Sequence, residues 1–283
     1  MSVRLRVGLV ADVHFASRNY GDRYCTEGFA RLEVAVEEFR RRSVDIILLL
    51  GDATDGGNGG GDQLSHIDKV AHLLADSSAE VHFVAGNHDL SDIAKRDFYD
   101  RMWSTVAFPS DAMTYEYSYA VDRGGMRFIF LDTHFTASGQ DWSHGEFEWD
   151  DAHVRSDHLA WAARVAAGAP DFGVVLVSHE NLDYRRTGGK RDPHVLANYR
   201  SVWDAVSNDG DNPVRAALQG HYHPGRLAHL SRVPILTLTA MVDFPAPANA
   251  FAIADFDDEA ISVSGYGRQH SAQILMSERT TRV

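Results

Sequence analysis

The order of apolar segments predicts an α/β fold in which two β-sheets pack together between helices in one domain. Three observations carry this. Strand-length apolar runs alternate with amphipathic helical patterns through the first third of the chain, and further strand-length runs crowd the second half. Five of the runs end abruptly at acidic, amide or histidine residues, as strands do when their carboxyl ends build a site.

Leu5 to Ala11 is an apolar run that ends at Asp12 and reads as a buried strand. Phe29, Leu32, Val36 and Phe39 then recur at helical spacing. Asp45 to Leu50 is a second buried strand, ending at Gly51-Asp52, and a glycine-rich loop covers 56–61. Leu64, Ile67, Ala71 and Leu74 suit an amphipathic helix, and Val81 to Ala85 is a third strand running into Gly86-Asn87-His88-Asp89. Strand–helix–strand–helix–strand predicts parallel strands joined by crossover helices. Further on, Glu116 to Ala120 and Met126 to Leu131 form a strand pair around a turn at 122–125. Asp157 to Ala167 is a helix, and Gly173 to Ser178 a strand ending at His179. Asn198 is placed to cap a helix carrying Val202 and Val206. Val214 to Gln219 is a strand ending at Gly220-His221, followed by strands over 235–240, 250–255 and 260–266. The domain is expected to span 1–268, with 269–283 as an unstructured C-terminal tail.

A chain of 283 residues, 44% hydrophobic and 24% charged, can bury one large core. A net charge of -13 gives a nucleic-acid polymer no broad attraction, which argues against a nuclease. The single cysteine, Cys25, allows no intramolecular disulfide and fits a reducing compartment. No segment approaches the roughly 18 apolar residues of a membrane span, and the N-terminus reads as a strand rather than a signal peptide. A soluble, cytoplasmic protein is the expectation.

Chemistry concentrates at the five strand ends: Asp12-Val13-His14, Gly51-Asp52, Gly86-Asn87-His88-Asp89, His179 and Gly220-His221-Tyr222-His223. Carboxylate, imidazole and amide oxygen without thiolate suit manganese, iron or zinc rather than a cysteine-rich zinc site. Each cluster alone is a weak signal, since Asp-X-His and Gly-Asp are common in turns. Five in order, each just after a predicted strand, are not explained by turn composition.

The series ADVH, GDATD, GNHD, SHEN and GHYH resembles the calcineurin-like metallophosphoesterase superfamily, over residues 5 to 266. That resemblance implies a four-layer α/β/β/α sandwich of two mixed sheets. It also implies two divalent or mixed-valence metal ions. Asp12, His14 and His223 would hold one, Asn87, His179 and His221 the other, and Asp52 would bridge them. His88, oriented by Asp55, would complete the catalytic machinery without binding metal. A hydroxide bridging the ions would attack phosphorus in line, and His88 would stabilise the developing charge or protonate the leaving group.

The stretch GHYHPGRLAHLSRVPILTLTAMVDFPAPANAFAIADF, with GDATDG and YSYAVDRGGMRFIFLDT, is similar to the manganese-dependent ADP-ribose/CDP-alcohol diphosphatase family. A small phosphorylated, nucleotide-type substrate is implied. Phosphomonoesters and cyclic phosphodiesters stay open as alternatives, as does a non-catalytic metal-binding scaffold. Where that family tends to carry a proline-containing turn, this chain has Glu180-Asn181-Leu182, then a basic loop with Arg185, Arg186, Lys190 and Arg191. These cations either grip a phosphate or balance nearby acids. In the loop Phe15 to Thr26, Arg18, Tyr20, Arg23 and Tyr24 either contact substrate or pack the loop. His134 reads as a surface histidine, and Cys25 as a packing residue.

Overall fold

The computed structural model describes residues 3–207 and 213–276. The first third is β1 (Leu5–Val10), α1 (Gly28–Arg41), β2 (Ile46–Leu50), α2 (Gly60–Ala75) and β3 (Glu80–Val84). These strands pair in parallel, β1 with β2 and β2 with β3. The strongly apolar runs are what a sheet covered on both faces requires. Next come α3 (Lys95–Thr105), β4 (Met113–Tyr115), β5 (Ser118–Arg123), β6 (Met126–Phe130), α4 (Ser156–Ala167) and β7 (Val174–Ser178). The rest comprises β8 (Arg186–Thr187), β9 (Lys190–Arg191), α5 (Tyr199–Val206), β10 (Val214–Gln219), β11 (Arg226–Leu230), β12 (Val233–Thr237), β13 (Ala250–Phe256), β14 (Ala260–Gly267) and β15 (Ala272–Leu275).

One sheet has the order β15-β14-β13-β1-β2-β3 and the other β11-β12-β10-β7-β6-β5-β4, both mixed. Period-two alternation divides each strand between two cores. Leu5, Val7 and Leu9 of β1, Leu48 and Leu50 of β2, and Phe128, Phe130, Val175 and Val177 of the opposite sheet fill the space between the sheets. Val10, Ile47, Leu49, Ile129 and Leu176 point the other way, onto the helices. The result is the α/β/β/α sandwich. Among the described residues no helix is long and apolar enough to cross a membrane.

Several sequence expectations need correction. Residues 272–275, assigned to a tail, form β15, which pairs antiparallel with β14 and buries Ile274 between the sheets. The remainder of that stretch, 277–283, lies outside the described residues. Asn198 occupies the N-cap position of α5 but makes no cap bond there; its amide instead pairs with both backbone groups of Val154. The strand expected over 116–120 begins at Ser118, because Glu116 sits in the β4–β5 turn with φ 51°. Helix α3 and strands β4 and β11 were not anticipated. The polar content of α3 hides the apolar face formed by Phe98, Tyr99 and Met102.

Candidate metal centre and cleft

The backbone pairing of β1 and β2 runs on past the strands themselves. Asp12 N donates to Gly51 O, His14 N to Asp52 O and Phe15 N to Ala53 O. This ladder fixes Asp12 and His14 beside Asp52. The turns are sharp: Asp12, His14, Asp52 and His221 all adopt left-handed φ, between 48° and 68°. Non-glycine residues hold that conformation only where the surrounding structure compels it. The neighbouring glycines leave room for the Asp52 carboxylate and the His179 ring. A Cβ on Gly86 would lie 2.1 Å from Asp52 Oδ1, and one on Gly51 2.2 Å from His179 Nδ1.

All five strand-end clusters meet, because the carboxyl ends of the parallel strands in both sheets point to one edge of the sandwich. Asp52 Oδ2 lies 3.3 Å from His14 Nε2 and 3.3 Å from His179 Nε2. Among the described residues three groups have ligand atoms close enough to share an ion: Asp12–His14–His223, Asp52–His179–His221 and His14–Asp55–His88. Asn87 is buried at the same place, and among the described residues its Oδ1 has no hydrogen-bond partner, nor has His179 Nε2. His14 Nδ1 is held by Asp55 at 3.2 Å and His223 Nδ1 by Asp243 at 2.8 Å. Their Nε2 atoms therefore confront each other at 3.2 Å, which calls for a positive charge between them. The donor set and its orphaned lone pairs fit divalent cations.

The electrostatics agree. Burial pushes the Asp12 carboxyl up to about 6, partly offset by His223 and His179. At Asp52 burial acts upward too, yet the imidazoles of His179, His14 and His88 outweigh it and hold the carboxylate ionised. Burial drives His14 down to about 4, so it is neutral, donating Nδ1–H to Asp55 and leaving Nε2 as a lone pair. Asp89 anchors the floor, accepting from the backbone of Ala53, Thr54 and Gly86 and from the Thr54 hydroxyl. Burial raises its carboxyl to about 7, with Asp52 adding to the rise.

His88 stands at the rim, 25% exposed, with Nδ1 3.0 Å from Asp55 Oδ1. Its backbone N–H donates to Asp52. Asp55 also receives Arg23 at 3.1 Å. Burial opposes ionisation of Asp55, but hydrogen bonds from His14 and His88 keep it well below the usual carboxylate range. His88 therefore carries an oriented imidazole beside the cluster; it groups with His14 and Asp55 and lies outside the two groups that contain Asp12 and Asp52.

Above these residues lies a cleft of about 500 Å³, whose lining includes Arg23, Asp52, Asn87, His88, His221 and His223. Phe147, Trp149 and His194 also line it, on the His221 side. Trp149 is 42% exposed, lies edge-on to His221 and tilted against His194, while Phe147 stacks on the buried Trp142. Of the proposed substrate contacts, only Arg23 lines this cleft. Arg18 and Tyr20 bind each other and the carbonyls of Gly57 and Gly56, tying two loops together. Arg185 binds Asn181 and Asp192 and lies over the Tyr222 ring. Arg186 and Lys190 sit on an exposed hairpin whose turn, Gly188-Gly189, has the positive φ values such a turn demands.

Sequence reasoning missed Trp149, Phe147, Asp243 and Glu180. Two of them left a signal there: Asp243 as an acid breaking the apolar run after β12, and Glu180 as part of a departure from the family's turn, with no role attached. His134, expected on the surface, is buried with its ring against Trp142 and near His179. Cys25 packs as expected, but beside Asp55, with Sγ 3.8 Å from Oδ2; burial pushes its thiol up to about 12.

Comparison with known proteins gives concordant results. A family model described as calcineurin-like phosphoesterase matches residues 5–225. A manganese-dependent ADP-ribose/CDP-alcohol diphosphatase of Danio rerio is 24% identical, over 95% of this chain and 98% of its own. The crystal structure of a dimetal phosphatase from Danio rerio superposes with a TM-score of 0.79 at 22% identity, covering 98% of this chain and all of that one. The structure of PhoD superposes with a TM-score of 0.60 at 9% identity, covering 98% of this chain and 72% of that one.

Proposed function

The chain belongs to the calcineurin-like phosphoesterase family, and from that premise we infer that it is a metal-dependent hydrolase of a small phosphorylated substrate. The observation that carries this reading is the placement of Asp52. One of its carboxylate oxygens is equidistant from histidines of two separate ligand groups, beside an oriented His88 that belongs to neither.

Asp12, His14 and His223 would hold one divalent ion, Asn87, His179 and His221 the other, with Asp52 shared. Manganese appears in the name of the Danio rerio relative and suits these oxygen and nitrogen donors, as do iron and zinc. Two such ions, when bound, supply Lewis-acid charge to phosphoryl oxygens and lower the pKa of water at the site. The remaining work falls to the chain's own side chains. Asp55 engages His88 Nδ1, which leaves Nε2 to face the cleft as a donor to the leaving-group oxygen. The same carboxylate holds Arg23, whose guanidinium lines the cleft and is placed to meet a phosphate.

The finer reading is a nucleotide-type diphosphate. It is supported by the relative's name and by Phe147 and Trp149, aromatic rings in the cleft lining beside His221 where a planar base can stack. A manganese-reconstituted screen of nucleoside diphosphate esters, nucleoside monophosphates and cyclic diesters tests both levels. Turnover of the first class above the others is expected. Failure to hydrolyse any class, with two ions bound, would sink the hydrolase reading.

A further inference from the structure

Glu180 follows His179 at the end of β7 and is fully buried, yet neither of its carboxylate oxygens has a well-formed hydrogen bond. Oε2 lies 3.1 Å from Nε2 of His221, and Oε1 lies 3.4 Å from Nε2 of His134. Both nitrogens are buried and have no other partner among the described residues. The carboxylate thus reaches one imidazole with each oxygen. A buried carboxylate is tolerable only if such contacts satisfy it.

The other candidate metal-binding histidines show what this contact does. His14 turns Nδ1 onto Asp55, His223 turns Nδ1 onto Asp243, and His179 turns Nδ1 onto the carbonyl of Leu50, 2.7 Å away. In each case one ring nitrogen is occupied by an acceptor, which fixes the tautomer and frees the other nitrogen for a metal. His221 follows the same pattern only through Glu180. We propose that Glu180 is a positioning residue for His221, accepting its Nε2–H so that Nδ1 is the nitrogen offered to the cleft. His134 holds the second oxygen of Glu180 and keeps the carboxylate in place.

His134 is itself fixed by a buried cage. Its backbone carbonyl accepts from Lys95 Nζ at 2.7 Å, and its N–H donates to Asp132 at 3.0 Å. Lys95 Nζ also reaches Asp132 and Asp141, each at 2.8 Å. Helix α3, which starts at Lys95, is thereby connected to a metal-facing histidine on the opposite sheet through four side chains: Lys95, Asp132, His134 and Glu180. Glu180 touches the histidine of one candidate ion site, that of His221, and none of the ligands grouped around Asp12.

The inference rests on the two-ion reading above, and its test needs no substrate. Manganese(II) is titrated into the metal-free full-length protein and its Glu180→Gln and Glu180→Leu variants. Stoichiometry and affinity are followed by calorimetry, and spin coupling between the ions by electron paramagnetic resonance. Glutamine can turn its oxygen to His221, so Glu180→Gln is expected to keep two coupled ions with affinities within about tenfold of wild type. Glu180→Leu is expected to bind one ion normally and the other about 10- to 100-fold more weakly, with the coupling lost. Two tightly bound, coupled ions in Glu180→Leu would overturn the proposal, as would equal losses in both variants. Should Glu180→Leu fail to fold, His134→Leu decides: the second ion must weaken several-fold, and unchanged affinity overturns the proposal. A protein that binds two ions as described but hydrolyses nothing would refute the proposed function and leave this inference standing.

Discussion

At the scale of single residues, this site is organised by what lies behind each imidazole. The four histidines around the cluster share one chemistry but face three different carboxylates and one carbonyl. His88 differs from them in lying outside the two groups that contain Asp12 and Asp52; it groups instead with His14 and Asp55. His88→Ala is therefore expected to lower kcat by about 10²- to 10⁴-fold, the usual worth of a positioned proton donor. Bound metal, measured by elemental analysis, should stay near wild type. Loss of both ions in that variant would show His88 to be structural instead. Trp149 makes a separate contribution. Its exposed indole lies edge-on to His221 and offers a stacking surface worth about 1–3 kcal/mol to a planar base. Trp149→Ala should raise KM about ten-fold or more for a nucleoside diphosphate ester while leaving KM for a base-free phosphodiester unchanged. Equal effects on both substrates would remove the base from the reading.

At the scale of elements, strand ends decide where the chemistry is and strand faces decide what holds it there. Parallel pairing aligns the carboxyl ends of β1, β2 and β3, and of β7 and β10, so ligands far apart in sequence share one edge. The GDATD, GNHD and GHYH segments were legible because each interrupts an apolar run. Strand β15 was not, because its alternating pattern, exposed Gln273 and Leu275 around buried Ile274, is short and follows a polar stretch. Its partner β14 supplies the context that makes it a strand. Ile274→Ala is expected to cost about 2–5 kcal/mol, as for other buried large-to-small changes, read as a lower denaturation midpoint at unchanged m-value. A change below about 0.5 kcal/mol would mean that β15 does not belong to the folded core in solution.

At the scale of the whole molecule, two sheets that need not have faced each other are brought together by the apolar layer between them. Asp52 comes from one sheet and His179 from the other, and their contact depends on how those sheets pack. Cations at this junction would tie the sheets together and offset part of the net charge of -13. Removing the metal with a chelator should therefore abolish hydrolysis and lower the thermal midpoint, with recovery on adding manganese. At a thousand-fold excess over Kd, each ion that binds only the folded state contributes about 4 kcal/mol. An unchanged midpoint after complete chelation would contradict this coupling.

The sequence by itself determined the layered α/β class, the order of most strands and the residues now gathered around Asp52. Those depend on local signals, since apolar periodicity names an element and a polar break marks its end. The resemblance added the partition of ligands and the pairing of Asp55 with His88. Only the tertiary structure decided which other side chains face the cluster. Glu180 and His134 become a buried pair, Trp149 and Phe147 a wall, and Asp243 a partner for His223. Of the basic residues considered for substrate, it brings Arg23 to the cleft and leaves Arg185, Arg186 and Lys190 on the hairpin side. Such contacts join residues tens to hundreds of positions apart through packing between sheets, and no local pattern encodes them.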